Sequence, residues 1–263
     1  MSEHGRREVE RTKKIWKANT FDKWYETFWG AVENFVDWEL LKQYLPQDKN
    51  AKILDAAGGT GRITLPLAKM GYSVTLCDID SRMLDKAKQK MFREGLCDKV
   101  NILECDIRNL YFASDESFDF VLCWDGATEA RKELIRVTRK GGRVSLFLLN
   151  RYRGAIDLFL ENPALALEII KSRSHYVYHH EEKQRVVSEE EAKKLFEAEG
   201  LRILGIYSIC GWAGWLHIPK KILESHKWDE KFFKQTTEMV LKLSKEPSVK
   251  GMSRHLVLYG EKM

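Results

Sequence analysis

The chain has 263 residues, 44% of them hydrophobic and 11% aromatic, which is enough for the core of one elaborated domain. Its net charge of +5 is too small an excess to indicate nucleic-acid binding by itself. The five cysteines form no CxxC pair and no metal-ligand spacing is visible, so we expect no metal site. The charged N-terminus lacks a secretion signal, and the apolar run at 203–219 is too short for a membrane span. We therefore expect a cytoplasmic protein without a membrane partner.

The predicted elements begin with a helix over residues 21–45, where apolar residues recur at helical spacing up to Pro46. Strands and helices then alternate up to residue 150, which predicts a parallel sheet with right-handed crossovers. The predicted strands are 51–57, 72–78, 100–106, 118–124 and 143–150. The predicted helices between them are 61–71, 81–95 (with Ser81 as its cap) and 128–142.

The alternation breaks after residue 150. Residues 151–187 combine an apolar helical stretch with an aromatic, His-bearing one, and they predict an insertion over the sheet. Ser188 and Glu191 have capping-box spacing at the start of the next helix. The remaining predicted elements are a strand at 201–209, a helix near 228–246 and a last strand at 254–260.

Three glycines stand in "LDAAGGTG", directly after the first predicted strand. The dinucleotide fingerprint G-x-G-x-x-G/A is incomplete, because Gly59 and Gly61 fit it but Thr64 occupies the third position. The Gly-Lys-Ser/Thr of a nucleotide triphosphate loop is absent as well. The loop therefore indicates a ligand that approaches the backbone without a pyrophosphate or triphosphate. A NAD-dependent enzyme remains an alternative.

Acidic residues end the second and third predicted strands, on the edge of the sheet where ligands of open α/β sheets bind. Asp78 lies 17 residues beyond Gly61, and a carboxylate there can accept hydrogen bonds from ribose hydroxyls. Asp106 can accept from an exocyclic amine such as adenine N6. Ile79 and Ile107 beside these acids can enclose a flat base. S-adenosylmethionine (SAM) has parts that match this set.

At these residues the sequence resembles the class I SAM-dependent methyltransferases. "LDAAGGTG", "CDIDSRMLDKA", "CDIRNL" and "RVTRKGGRVSLFLLN" are similar to four motifs of that family, in the same order. The resemblance implies an α/β, Rossmann-like fold. Its seven-stranded, mostly parallel sheet carries helices on both faces and ends in an antiparallel strand, here 254–260.

The resemblance also divides the chain, which we expect to be one domain over residues 1–263. Its parts are an N-terminal helical lid at 1–50, a SAM-binding core at 51–150, a substrate-side insertion after the fifth strand at 151–187, and the rest of the sheet at 188–263.

The resemblance implies a role for each matching residue. The cofactor-binding residues are expected to be Asp55, Gly58, Gly59, Gly61, Asp78, Ile79, Asp106, Ile107 and Cys123. Trp124 follows Cys123 and is expected beside the acceptor, although packing is an equally good interpretation. The candidate catalytic residues are Trp124, Asp125 and His217, and Asp125 is also a candidate helix cap.

Further residues are candidates for holding the acceptor. Tyr25 lies in the predicted lid, and Arg151 follows the fifth strand on the ligand edge. Arg254 and His255 lie at the last strand. The arrangement of "LFLLNRYRG", the aromatic "CGWAGWLH" and the C-terminal "EPSVKGMSRHLVLYGEK" resembles that of methyltransferases that esterify the carboxymethoxy group of a tRNA wobble uridine.

We expect a SAM-dependent methyltransferase that acts on a small molecule, since a lid and an insertion can close over a compact acceptor. A tRNA methyltransferase is the alternative. The tRNA-enzyme resemblance supports it, as does a basic stretch over 131–153, which also fits a solvated helix face. A non-catalytic SAM-binding module is a third interpretation. The sequence leaves the oligomeric state open.

Overall fold

A computed structural model describes residues 18–124, 127–171, 175–179, 182–209 and 225–263. The strands are β1 Lys52–Ala56, β2 Ser73–Asp78, β3 Val100–Glu104, β4 Phe118–Cys123, β5 Thr138–Asn150, β6 His175–His179, β7 Glu182–Val187, β8 Leu201–Ile209 and β9 His255–Lys262. The helices are α1 Ala18–Tyr25, α2 Phe28–Leu41, α3 Thr64–Lys69, α4 Ser81–Arg93, α5 Ala127–Val137, α6 Arg151–Leu158, α7 Pro163–Lys171, α8 Glu189–Glu197, α9 Glu230–Leu243 and α10 Pro247–Lys250.

The sheet has the predicted parallel core. β3, β2, β1, β4 and β5 lie side by side in that order and all run parallel. β9 runs antiparallel between β5 and β8. These seven strands confirm the expected sheet, including its antiparallel last strand. Because β1 to β4 are parallel, their carboxyl ends meet at one edge.

The insertion differs from its prediction. Its first half forms α6 and α7, but its second half forms the antiparallel hairpin β6–β7. β7 pairs in parallel with the last two residues of β5, where Leu149 lies opposite Val186 and Asn150 opposite Val187. Part of the insertion therefore extends the sheet instead of lying over it. The sequence suggested otherwise because a mixed polar and aromatic hairpin has no clear period in "HYVYHHEEKQRVV".

Helices cover both faces of the sheet, as expected. β4 shows why, because its residues alternate between the faces and nearly all are buried. Val121 joins a core that includes Leu134 of α5 and Phe196 of α8. Phe120 joins the opposite core with Trp29 of α2. None of the helices in the described ranges is long and apolar enough to cross a membrane.

The helix predicted over residues 21–45 is broken in two. α1 ends at Tyr25, and Thr27 has extended backbone and caps α2 by accepting a hydrogen bond from the Gly30 amide at 3.2 Å. A Cβ atom on Gly30 would overlap the Trp24 carbonyl oxygen. The missing side chain lets the end of α1 lie directly against the start of α2. The apolar pattern did not reveal this break because apolar residues recur at helical spacing on both sides of it.

Two predicted helix caps have different outcomes. The capping box of Ser188 and Glu191 at α8 is confirmed, with both reciprocal hydrogen bonds present. At α4 the cap is Asp80 and not Ser81. The Asp80 carboxylate accepts from the Arg82 amide at 2.9 Å, and Ser81 is the first helical residue.

We predict that Ser188→Ala lowers the free energy of unfolding by about 1 kcal/mol, because the Glu191 amide loses its acceptor. Denaturant unfolding followed by circular dichroism measures this. Glu190→Ala is the matched control, since it removes an exposed ion pair with Lys194 from the same helix and should cost about 0.5 kcal/mol or less. Equal losses in the two variants would contradict the assigned cap.

Candidate cofactor and acceptor site

The glycine loop after β1 turns sharply within a few residues. Ala57, Gly59 and Gly61 have φ angles of 58°, 54° and 77°, in the left-handed region. The Gly58 amide donates to the Cys77 carbonyl at 3.1 Å, and the Gly61 amide donates to the Gly58 carbonyl at 2.9 Å. Glycine adopts the left-handed region without the steric cost that a side chain brings. The loop thus presents backbone at the carboxyl edge of the sheet.

Asp78 holds this loop from the end of β2. One carboxylate oxygen accepts from the Gly59 amide at 2.9 Å, and the other accepts from the Asp80 amide at 2.8 Å. A Cβ atom on Gly59 would meet nothing nearer than the Asp78 carboxylate at 4.0 Å, so the space in front of Gly59 is open. Burial raises the pKa of Asp78 to about 6, although these hydrogen bonds oppose the shift. The Ile79 amide is a third backbone donor, and a carboxylate with about four acceptor sites can still accept one further hydrogen bond.

Asp55 lies beneath the loop and is almost fully buried. Its carboxylate accepts from the Thr64 hydroxyl at 2.6 Å. A Cβ atom on Gly58 would come within 2.8 Å of this carboxylate, so the absent side chain at Gly58 makes room for Asp55. Burial raises the pKa of Asp55 to about 6, against the effect of the Thr64 hydrogen bond. Thr64, which broke the dinucleotide fingerprint, is therefore the partner of Asp55.

Asp106 lies at the end of β3, next along the same edge. Its carboxylate accepts from the Arg108 amide at 2.9 Å and from the Arg108 guanidinium at 2.7 Å. Burial alone would raise its pKa, but the hydrogen bonds and charge of Arg108 outweigh burial and lower the pKa of Asp106. Ile79 and Ile107, each next to one of the acids, are half-buried. The edge thus carries the acids and apolar side chains in the predicted order.

Cys123 is the last residue of β4, and Trp124 follows it directly. Cys123 is fully buried and lies opposite Ala56 of β1 and Leu146 of β5. The Trp124 indole donates to the Ser145 hydroxyl at 2.9 Å. Its ring stacks on Phe147, with centroids 4.3 Å apart and an interplanar angle of 11°. The hydrogen bond to Ser145 and the stacking on Phe147 therefore fix the orientation of the Trp124 ring.

The start of β9 lies beside Trp124 and Phe147. His255 lies opposite Leu149 and stacks at 6.2 Å on the Phe147 ring. The Arg254 carbonyl accepts from the Asn150 amide at 3.0 Å. Arg254 and His255 are thus at the end of β5, on the edge where the candidate cofactor residues lie. Asp125 and His217 fall outside the described residues.

Within the predicted lid, α1 and α2 contact the glycine loop through residues that the sequence did not single out. The Thr60 hydroxyl donates to the Asp22 carboxylate at 2.6 Å, and the Lys90 ammonium donates to it at 2.9 Å. The Arg62 guanidinium lies 4.3 Å from the ring centroid of Tyr25. Tyr25, predicted in the lid, therefore does lie close to the loop. Nothing in the local pattern identifies Asp22 or Arg62, because their partners are distant in sequence.

Arg151 is a correction to the predicted acceptor set. It is buried, lies 2.7 Å from the Glu191 carboxylate, and donates to the Ile169 carbonyl at 3.1 Å. Its charge joins α6 to α7 and α8, so it is not presented to a ligand at the edge. The prediction that Arg151 follows β5 is correct, but no sequence pattern indicates that α7 and α8 enclose its side chain.

The basic stretch of α5 and β5 is largely neutralised by acids. Arg131 pairs with Glu199 at 3.1 Å, and Arg139 pairs with Asp119. Arg136 contacts Glu133 and Asp115, both at 2.8 Å. These pairs favour the interpretation as a solvated surface over that of a phosphate-binding surface.

Comparison with known proteins agrees with this geometry. Residues 53–142 match the family model described as a methyltransferase domain. The tRNA 5-carboxymethoxyuridine methyltransferase of Escherichia coli is 27% identical over 136 residues, which cover 49% of this chain and 52% of that protein. A ubiquinone/menaquinone biosynthesis C-methyltransferase of Rhodopseudomonas palustris is 36% identical over 105 residues, covering 36% of this chain and 41% of that protein. The chain spans about half the length of the curated relatives it matches, or less.

A solved structure resembles nearly the whole chain. The SAM-dependent methyltransferase from Thermotoga maritima gives a TM-score of 0.59 at 17% identity and covers 97% of this chain and 99% of that one. At this identity the likeness shows the fold. Together the comparisons show that residues 53–142 are similar to a methyltransferase domain and that the chain shares the fold of solved SAM-dependent methyltransferases.

The buried Asp55 predicts a pH-dependent stability. Its folded pKa of about 6 lies above the ordinary value of 3.8, so the folded protein holds the proton more tightly. The resulting stabilisation is complete below pH 4 and is lost as pH rises through about 6. Asp55→Asn has no proton to lose. We expect its stability relative to the wild type to increase between pH 4 and pH 7, by on the order of 1–3 kcal/mol.

Thermal or urea unfolding of both proteins across this pH range measures the difference. Thr64→Val serves as a second probe, because losing the hydroxyl moves the Asp55 pKa upward and extends the window to higher pH. A stability difference that stays constant from pH 4 to pH 7 would contradict the assignment.

Proposed function

We propose that the chain binds SAM along the edge formed by the glycine loop, Asp55 and Asp78, and transfers its methyl group to a small-molecule acceptor. The observation that carries this proposal is the open space at Gly59 beside the Asp78 carboxylate. A backbone-lined bend with two acids suits a nucleoside with an amino-acid tail. It offers no complete geometry for a pyrophosphate.

Each residue has a distinct task in this proposal. Asp78 binds the ribose hydroxyls, and the backbone of the glycine loop faces the methionine part. Asp55 lies near its ammonium group, with a bridging water where needed. Asp106 accepts from the adenine amine, and Ile79 and Ile107 cover the faces of the base. When bound, SAM supplies an activated methyl group whose leaving group is a neutral thioether.

The acceptor side lies where β4 and β5 end and β9 begins. Trp124, Phe147 and His255 form an aromatic row there, and Tyr25 approaches from the lid. Such walls can exclude water and hold a nucleophile in line at near-attack distance. A hydroxyl or amine acceptor needs a general base, for which His255, Asp125 and His217 are candidates, whereas a carboxylate or thiolate acceptor does not.

A tRNA acceptor is the second candidate, favoured by the likeness to the Escherichia coli tRNA methyltransferase. Arg254, at the start of β9, is the cation best placed to meet an anionic acceptor, because it lies on the ligand edge. The ion pairs of the basic stretch weigh against a broad phosphate-binding surface. We therefore rank a compact acceptor first.

We predict that Asp78→Ala weakens the binding of S-adenosylhomocysteine by about 1–3 kcal/mol, because hydrogen bonds to a charged acceptor are lost. Isothermal titration calorimetry measures the affinity. Asp119→Ala is the control, since Asp119 pairs with Arg139 and the Lys52 amide at the opposite edge of the sheet. Unchanged affinity in Asp78→Ala, or equal losses in both variants, would refute the ribose assignment.

The acceptor is tested by incubating the protein with methyl-labelled SAM and either a metabolite extract or total tRNA. We expect label in a small molecule with the extract alone, independent of tRNA. Label in tRNA, with binding that weakens steeply as salt increases, would establish the second candidate instead. Binding of S-adenosylhomocysteine without any labelled product would indicate a non-catalytic module.

A further inference from the structure

Arg62, at the end of the glycine loop, contacts both helices of the predicted lid and the residue that follows β4. It follows Gly61 directly, and only 13% of its side chain is exposed. Its guanidinium lies 4.3 Å from the Tyr25 ring centroid and 5.1 Å from that of Trp124. One planar cation therefore touches an aromatic ring of the lid and the aromatic ring beside the expected methyl position.

The same guanidinium is held from α2. It donates to the Asn34 side-chain oxygen at 2.9 Å and to the Asp37 carboxylate at 3.2 Å. The Asp37 side chain is only 2% exposed, and burial raises its pKa to about 7 although Arg62 lowers it. A buried carboxylate of this kind needs a paired cation nearby. Arg62 is thereby fixed in orientation as well as in position.

The ring of Trp124 is consequently constrained on both faces and on its edge. Phe147 stacks on one face, so the guanidinium of Arg62 occupies the other. The indole nitrogen is bonded to Ser145. Trp124 thus has no free face for an acceptor to stack on, and its contribution must be a fixed wall. Of these contacts, the one with Arg62 connects the ring to the lid.

We propose that Arg62 is a positioning residue of the acceptor side, the region of Trp124, Phe147, His255 and Tyr25: it fixes the Trp124 ring relative to Tyr25 and α2, and so couples these two helices to the geometry at the methyl group. This inference rests on the proposed function. It assigns Arg62 to the acceptor side of the loop, apart from the backbone and acids that would hold the cofactor. Arginine suits this role because its planar group stacks on rings while it forms directed hydrogen bonds.

The chain offers a matched control in Lys90. Its ammonium binds Asp22 and the Thr60 hydroxyl, at 2.9 Å and 3.1 Å, and so fastens α1 to the loop and α4. Neither contact involves Trp124. Lys90→Met should therefore loosen the lid without moving the ring, whereas a change at Arg62 should affect both.

The test uses the protein labelled with 5-fluorotryptophan, with the Trp124 fluorine resonance assigned from Trp124→Phe. Arg62→Lys keeps the charge beside Asp37, and Arg62→Gln keeps hydrogen bonding without charge. We expect both variants to shift the Trp124 resonance and to speed amide exchange over residues 18–25. Lys90→Met should speed that exchange and leave the Trp124 resonance in place. Thermal unfolding confirms that each variant is folded.

Calorimetry with S-adenosylhomocysteine separates the two proposals. We expect the Arg62 variants to keep the wild-type affinity within about threefold, and methyl transfer to the labelled acceptor to fall by about 10–100-fold. An unmoved Trp124 resonance in both Arg62 variants would overturn the positioning role. The positioning role would also be wrong if the Arg62 variants lost most of their affinity for S-adenosylhomocysteine while the Trp124 resonance stayed in place. That result would make Arg62 a cofactor contact. Failure of the wild type to bind S-adenosylhomocysteine would instead refute the proposed function.

Discussion

The hydrogen bond from the Gly59 amide to the Asp78 carboxylate is the contact on which the site depends. It ties the loop after β1 to the end of β2 and keeps a half-buried acid at the carboxyl edge of the sheet. Without it the Gly59 amide, in its left-handed backbone, would lose its acceptor, and the loop would lose a hydrogen bond to a charged group. The parallel pairing of β1 with β2, which aligns Ala56 with Cys77, is what brings the two groups together.

The glycine loop contributes both to the candidate cofactor site and to the contact with α1 and α2. Gly59 presents open backbone on one side, while Thr60 and Arg62 bind α1 and α2 on the other. The lid therefore contacts the loop directly rather than through the rest of the sheet. A ligand that displaces the loop would also displace its contacts with α1 and α2, and this gives a physical basis for the proposed coupling between the cofactor and acceptor sides.

Much of the sheet and of the cofactor edge could be predicted from the sequence, because strand periodicity and the spacing of Asp78 from Gly61 are local signals. The rest depended on contacts between distant residues. Arg62 and Asp37 are 25 residues apart, and neither stands out in its own segment. Arg151 looked available at the edge until α7 and α8 enclosed it. The division of the lid at Thr27 depended on the close approach of Trp24 to Gly30, which apolar spacing cannot reveal.

The most direct measurement is a crystal structure of the protein grown with S-adenosylhomocysteine. The account predicts that the ribose hydroxyls lie within hydrogen-bond distance of the Asp78 carboxylate, with the amino-acid tail along the backbone of Gly58 and Gly59. A nucleoside bound away from this edge, or a glycine loop closed by its neighbours in the complex, would contradict it.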